Sequence, residues 1–199
     1  MYIFAYIVSS ILLSLFLSSA MISGHFRAEP VLFLGEWCRL YLCSESWREL
    51  EHKVHHYHWD DREKYYQDYL NLSNIYEEKL HNLSACLNNI HGVTLSDRYW
   101  RIVVGPWLRF FIDAVYDRFE LIRTVSEIDE VDDTCILKYE LKDWIPKDFS
   151  EFYKQFTGDA WNHIVFAEFI KAIGLPHTFC DSFLESNIYS IPARKPRGS

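Results

Sequence analysis

The segment VLFLGEWC, residues 31–38, opens with four consecutive apolar residues and then breaks at a glycine. Short uninterrupted apolar runs are typical of strands that are buried on both faces, as the strands of parallel sheets are. We therefore predict a buried strand over Val31–Leu34 that delivers a loop, Gly35–Cys38, at its carboxyl end. A second strand is predicted over Lys53–Tyr57.

A long amphipathic helix is predicted after the second strand, from about Asp60 to Ile90. Tyrosine, leucine and isoleucine recur there at spacings of three and four, the period of one helix face. Asp60 or Asp61 can accept hydrogen bonds from the first backbone N–H groups, and Gly92 can end the helix in a left-handed conformation. We expect the apolar stripe of this helix to be buried in the domain. Its members are Tyr65, Tyr69, Leu72, Tyr76, Leu80, Leu83, Leu87 and Ile90.

A kinked pair of helices is predicted next. Ser96 can cap a segment that Gly105 and Pro106 interrupt, because proline lacks the backbone N–H that a helix interior needs. A second helix is expected from about Trp107. Its predicted apolar face consists of Trp107, Phe110, Phe111, Ala114, Val115, Leu121 and Ile122. Its predicted outer face carries Arg109, Asp113, Asp117 and Glu120.

The last third of the chain alternates between connectors and short elements. The acidic stretch EIDEVDD, residues 127–133, predicts a solvated connector. A strand over Cys135–Tyr139 follows, and then helices over Phe149–Phe156 and Asp159–Ile173. The whole pattern predicts an α/β fold, a helix-rich domain with a short parallel sheet, over residues 25–191.

Residues 1–24 form a separate hydrophobic segment. The run from Ile3 to Ile22 is uncharged and about 20 residues long, the length that crosses a bilayer as a helix. We expect a membrane anchor or, despite the absence of a basic start, a signal peptide; a buried helix or a mis-assigned start stays open. An anchor predicts a membrane-associated protein with its domain on the cytoplasmic side, and a signal peptide predicts a secreted one. Residues 192–199 are basic and rich in proline and glycine, which predicts a flexible tail.

Composition and missing motifs exclude several classes of protein. The 199 residues carry a formal charge of −8, which argues against nonspecific binding to nucleic acid. The five cysteines include no CxxC pair, so neither a thioredoxin-like nor a zinc-ribbon domain is indicated. No GxGxxG, P-loop, HExxH or GxSxG motif occurs, so dinucleotide oxidoreductases, P-loop NTPases, zincins and α/β hydrolases lack motif support.

Four histidines cluster in HKVHHYH, residues 52–58. In an extended run, His56 and His58 share one face and His55 points to the other, and no cysteine lies at the spacing of a zinc site. The pattern therefore predicts a polar strand edge with one functional histidine and no metal site.

Two further blocks concentrate groups that can bind or react. HWDDR, residues 58–62, places a histidine, an indole, two carboxylates and a guanidinium at a strand-to-helix junction, where anions are favoured. RYWRIVVGPW, residues 98–107, brings together arginines and aromatic residues, which suit phosphates and the faces of sugars. The structural alternatives are that Asp60 and Asp61 only cap a helix and that the aromatic residues only pack the kink.

Five ordered blocks between Val31 and Ala172 resemble a bacterial family of transferases for surface-carbohydrate, or O-antigen, biosynthesis. The blocks are FLGEWCRLY (33–41), YHWDDREKYYQDYLNLSNIYEEKL (57–80), LNNIHGVTLSDRYWRIVVGPWLRFF (87–111), DRFE (117–120) and WNH (161–163). Because the blocks occur in the same order, the resemblance is more specific than any one motif.

The resemblance implies a glycosyltransferase-like enzyme with a two-lobed GT-B architecture, of which residues 25–191 would be the N-terminal lobe. It implies a nucleotide-activated sugar as donor and a glycan as acceptor, with no cofactor expected in this chain and the divalent metal left open. Members of that family continue into a second lobe, so we expect a truncated product or a partner that carries that lobe. The alternatives are a noncatalytic, membrane-tethered binding or scaffold protein and a secreted protein of unrelated activity.

The blocks also supply candidate residues for the transfer, which needs a base for the acceptor hydroxyl and cations for the leaving phosphate. The predicted base is His58 or Asp61, with Glu36 in reserve. The predicted anion binders are Arg62, Arg98 and Arg101, which we expect to converge near the GEWC loop, close enough to share a phosphorylated ligand. The predicted aromatic binding residues are Trp37, Trp59 and Trp100.

Overall fold

The computed structural model describes residues 2–6, 30–39, 41, 44–128 and 131–180. The main sheet has four parallel strands in the order β3-β2-β1-β4. These strands are β1, Tyr2–Tyr6; β2, Val31–Phe33; β3, His52–Val54; and β4, Val131–Asp133. A second sheet pairs β5, Cys135–Leu137, in parallel with β6, Thr178–Cys180.

Helices make up most of the described chain. They are α1, Ser44–Trp47; α2, Arg62–His91; α3, Asp97–Val103; α4, Gly105–Ile128; α5, Phe149–Phe156; and α6, Asp159–Ile173. Short 3₁₀ turns cover Glu36–Cys38, His58–Asp60 and Leu141–Trp144. The predicted class, a helix-rich α/β domain with a short parallel sheet, is confirmed.

The helix ends lie where local signals placed them. The Asp61 carboxylate accepts from the backbone N–H groups of Glu63 and Lys64 at the start of α2. Gly92 has a φ of 63°, the left-handed conformation that glycine adopts without strain, and it ends α2. Ser96 caps α3 through the N–H of Tyr99. Capping groups of this kind satisfy backbone groups that the helix itself leaves unpaired.

The core lies where the sheets meet α4 and α6. Phe33, Leu121, Ile136 and Ile170 are among its completely buried side chains. Each such side chain contributes about 1.5–3 kcal/mol when it leaves water. The core therefore fixes β2 and the end of β3 against the second half of α4 and the second half of α6.

The prediction for the two faces of α4 is wrong in part, although Ala114, Leu121 and Ile122 are buried as predicted. Asp117 and Glu120, expected on the outer face, are buried. Phe110 and Phe111, expected in the core, are 45% and 37% exposed. The physical reason is that α4 contacts α2 on one side and α6 on the other, so that two faces of one helix are covered. A single apolar stripe cannot describe such a helix.

The predicted apolar stripe of α2 is wrong in most of its members. Its buried positions are Asp68, Leu72, Leu80 and Ser84, a column with spacings of four and eight. Tyr65, Tyr69 and Ile90 are exposed. Because α4 and α3 cover only a narrow strip of α2, polar side chains with internal partners occupy part of that strip.

Two predictions near the sheet are also corrected. Residues 3–22 were expected to form a membrane anchor or a signal peptide, but Tyr2–Tyr6 forms a strand between β2 and β4. The rest of that run lies outside the described residues. The acidic connector was expected to be solvated, but Val131–Asp133 pairs with β1.

Within the described part of the chain, no helix has the length and apolar character of a membrane span. The predicted tail at 192–199 also lies outside the described residues.

Candidate functional site

A cavity of about 760 Å³ opens at the carboxyl ends of β2 and β3. Ligands of open parallel sheets settle at this edge, because the loops that follow the strands converge there. Its lining combines apolar and polar side chains. The lining residues are Leu34, Gly35, Glu36, Trp37, Cys38, Val54, His55, His56, Tyr57, Asp60, Asp117, Arg118, Leu121, Asn162, His163 and Phe166. We call this space the strand-end cavity.

Trp37 presents an aromatic face at the strand-end cavity. Its side chain remains 42% exposed, and its ring stands edge-on to Tyr57 with the centroids 5.8 Å apart. The ring lies so close to Gly35 that a Cβ atom there would be 2.2 Å from it. Glycine at position 35 therefore leaves room for the indole beside the backbone that follows β2.

Asp117 joins three donors beside the cavity. Its Oδ1 accepts from the Tyr57 hydroxyl at 2.8 Å and from His58 Nε2 at 3.0 Å. Its Oδ2 accepts from Arg118 Nη1 at 2.7 Å. Burial and the Asp117 carboxylate raise the pKa of Tyr57 far above its ordinary value, which keeps this phenol a donor. We call Tyr57, His58, Asp117 and Arg118 the Asp117 cluster.

Arg118 is held in place from two directions. Besides its bond to Asp117, its Nε donates to Asn162 Oδ1 at 2.9 Å. The Asn162 amide in turn donates to the carbonyls of Phe156 and Gly158, at the turn between α5 and α6. The guanidinium is therefore oriented before a ligand arrives, and its remaining N–H groups can meet an acceptor in the cavity.

The three predicted base candidates occupy different surroundings. Glu36 lines the cavity and forms a bidentate ion pair with Arg39. His58 is buried and reaches the cavity only through Asp117, and its Nδ1 has no partner among the described residues. The Asp61 carboxylate is engaged in capping α2.

The three predicted anion-binding arginines are not brought together. Arg101 donates twice to Glu77 near the middle of α2, beside a second hollow of about 490 Å³. Arg62 is the exposed first residue of α2, about 22 Å along the helix axis from Glu77. Arg98 is exposed in the first turn of α3. Neither Arg62 nor Arg98 lines the strand-end cavity.

Trp59 and Trp100 have structural partners. Trp100 is buried and donates to Asn88 Oδ1 at 2.9 Å. Trp59 donates to Asp68 Oδ2 at 3.0 Å. Of the three predicted tryptophans, Trp37 alone lines the strand-end cavity.

Asp68 belongs to a network of charges between α2 and α4. Lys64 Nζ lies 2.6 Å from Asp68 Oδ2 and 3.1 Å from Glu120 Oε2, and Arg123 donates twice to Glu120. Burial opposes ionisation of Asp68, but hydrogen bonds from Lys64 and its neighbours outweigh it and lower its pKa. A hydrogen bond from Arg123 lowers the pKa of Glu120, against the effect of burial.

These lowered pKa values predict acid sensitivity. A carboxyl group whose pKa is lower in the folded state contributes stability above its ordinary pKa and loses it as the pH falls through the folded value. We expect the free energy of unfolding to decrease as the pH is lowered below about 4–5. In Glu120→Gln the free energy of unfolding should depend less steeply on pH than in wild type. The slope should be smaller by up to about 1.4 kcal/mol per pH unit, which corresponds to the uptake of one proton. Urea unfolding at pH 3–7 measures this, with exposed Glu63→Gln as the control; equal slopes in all three proteins would contradict it.

Sequence reasoning did not select four polar residues that line the strand-end cavity, Asp117, Arg118, Asn162 and His163. Asp117 and Arg118 lie in DRFE and Asn162 and His163 lie in WNH, so two blocks of the family resemblance marked them. Charge alone had assigned Asp117 to a solvated face. In the described part of the chain, no group of three or more His, Cys, Asp or Glu side chains is arranged to hold a metal ion.

The fold and the site define an α/β domain with an aromatic and polar cavity at the ends of its parallel strands. Residues 15–197 match the model of the LIC12162 family transferases, and the chain belongs to this family. No curated protein matches it, and no solved structure does.

Proposed function

We propose that this transferase moves a glycosyl group from a nucleotide-activated sugar to a hydroxyl of a surface glycan, with the strand-end cavity as the site of transfer. The observation that carries the proposal is the cavity itself, in which an exposed indole face, carboxylates and one oriented guanidinium meet at the strand ends. The membership in a transferase family supports the reaction type.

The chemistry of the lining suits a sugar. Aromatic faces such as that of Trp37 pack against the apolar faces of sugar rings, while carboxylates and amides bond their hydroxyls. Glu36, Asp60 and Asp117 line the cavity against one guanidinium, Arg118, so its charge favours a hydroxyl-bearing ligand over a lone polyanion. Arg118 is placed to stabilise the charge on a leaving phosphate.

A scaffold without catalysis, which binds another protein or lobe, is the second candidate. The exposed apolar residues on α3 and α4 favour it. Ile102 and Val103 on α3 are 72% and 54% exposed, and Phe110 on α4, the next helix, is 45% exposed. Such a surface is typical of contact with another protein or lobe.

An activity assay of the full chain separates these two functions. The expected result is release of nucleotide from one member of a panel of nucleotide sugars, in the presence of a glycan acceptor. Trp37→Ala should lower kcat/KM by about 10–100-fold, since base or sugar stacking on an aromatic ring contributes about 1–3 kcal/mol. Tyr99→Ala, an exposed aromatic residue on α3, is the matched control. Turnover that Trp37→Ala leaves unchanged would contradict the proposed site.

A further inference from the structure

We propose that His56 is the catalytic base of this transfer and takes the proton of the acceptor hydroxyl on its Nε2, with Asp60 beside it. The inference rests on the proposed function, because it names the proton acceptor of that reaction. Both side chains line the strand-end cavity, and neither belongs to the Asp117 cluster.

The tautomer of His56 follows from its hydrogen bond. Its Nδ1 lies 3.0 Å from the backbone carbonyl oxygen of Tyr57. A carbonyl oxygen can only accept, so Nδ1 must carry the proton, and the lone pair of the neutral ring is on Nε2. The ring is 79% exposed, and Nε2 has no hydrogen bond among the described residues.

The other histidines of the cavity have their Nε2 atoms engaged. His55 Nε2 lies 2.9 Å from Thr124 Oγ1, and His163 Nε2 accepts from the backbone N–H of Leu137 at 3.1 Å. His58, the base predicted from the sequence, has its Nε2 on Asp117. His56 therefore offers the accessible lone pair.

The carboxylates of the cavity, like its histidines, differ in whether hydrogen-bond donors already engage them. Asp117 accepts from three donors and Glu36 from Arg39, so the oxygens of these two carboxylates are already engaged. Asp60 Oδ2 has His56 Nε2 at 3.9 Å as its ion-pair partner and is 63% exposed. Asp60 can therefore stabilise the imidazolium that forms on His56.

The spacing of the pair suits a hydroxyl. At 3.9 Å the two atoms are too far apart for a mutual hydrogen bond, so Nε2 is open to accept the single proton of a hydroxyl, while Asp60 Oδ2 lies near enough to attract the charge that then forms on the ring. In the transfer, the acceptor oxygen forms its bond to the anomeric carbon while the bond from that carbon to the donor phosphate breaks. The hydroxyl proton passes to Nε2, and the electron pair leaves with the nucleotide phosphate.

Another exposed histidine–carboxylate pair provides the control. His81 Nδ1 lies 2.8 Å from Asp97 Oδ2, between α2 and the start of α3 and outside the strand-end cavity. Exposed pairs of this type contribute about 0–1 kcal/mol to stability and need no function. A general loss of exposed ion pairs would affect both histidines, whereas a proton transfer in the cavity depends on His56 alone.

The first experiment compares wild type, His56→Ala and His81→Ala in the full chain, with the nucleotide sugar that wild type turns over. His56→Ala should lower kcat by about 10²–10⁴-fold with little change in KM for the donor, and added imidazole should restore part of the rate. His81→Ala should keep the wild-type rate. A wild-type rate in His56→Ala overturns this inference and leaves the proposed function intact, whereas no turnover by wild type overturns the proposed function.

The second experiment does not need turnover. Long-range ¹H–¹⁵N NMR spectra of histidine-labelled protein at pH 8, assigned with His56→Gln, report which ring nitrogen carries the proton. We expect the Nδ1–H tautomer and a change in the Nε2 resonance on addition of methyl glucoside. An Nε2–H tautomer, or a resonance that the glucoside leaves unchanged, overturns the inference.

Discussion

Replacing Asp117 with alanine is expected to lower the free energy of unfolding by about 3–5 kcal/mol, the usual loss when one partner of a buried ion pair is removed. The carboxylate accepts from Tyr57, His58 and Arg118, so its loss leaves three donors beside α4 without their acceptor. Buried donors without partners carry their full desolvation cost. Asp117→Asn should lose less, because the amide oxygen can still accept from Tyr57 and His58.

The control for this prediction is one turn earlier on the same helix. Asp113→Ala removes a partly exposed ion pair with Arg109, which should cost about 0–1 kcal/mol. Urea unfolding of both variants measures the difference. Similar losses from Asp113→Ala and Asp117→Ala would contradict the central role of the Asp117 carboxylate.

The second large effect concerns the face of α2 that enters the core. Leu80→Ala should cost about 2–5 kcal/mol, because Leu80 is 1% exposed and its truncation leaves a cavity between α2 and its neighbours. Leu83, which the predicted stripe placed beside it, is only half-buried, and Leu83→Ala should cost about 1 kcal/mol. Denaturant unfolding of the two variants is the test. A larger loss from Leu83→Ala would show that the other face of α2 is the buried one.

Local signals predicted the helix ends well. The bounds of α5 and α6 agree with the sequence prediction at each residue, and Asp61, Gly92 and Ser96 act as the caps they were predicted to be. Caps depend on a side chain and the backbone within three or four residues, so the sequence alone contains the information.

Long-range pairing could not be predicted in the same way. The acidic residues of β4 show no alternating pattern, and what makes Val131–Asp133 a strand is the neighbouring β1. Tyr2–Tyr6 likewise looks like the start of a membrane helix until β2 and β4 are placed on either side of it. Strand propensity depends strongly on such neighbours, which a single sequence does not reveal.

The candidate site, like the fold, was predicted from the sequence only in part. The GEWC loop and its tryptophan were predicted from the break after an apolar run, and Glu36 and Trp37 do line the strand-end cavity. The assignment of His58 rather than His56 as base followed the HWDDR block, which begins at His58, and residues 52–58 were treated as one extended run. In the structure the strand ends at Val54 and a 3₁₀ turn begins at His58, so the ring directions differ from those of a continuous strand.

The position of β1 has a consequence for the order in which the chain folds. Tyr2 is paired with Val131, so β1 lacks one neighbour until the residues of β4 have been made. The helices α2, α3 and α4 contact one another over shorter separations, such as the 52 residues between Lys64 and Tyr116, and can pair before that point. Pairing over such a separation closes slowly because of its loop entropy. We therefore expect a helical intermediate to form first during synthesis, with completion of the parallel sheet as the late, rate-limiting event.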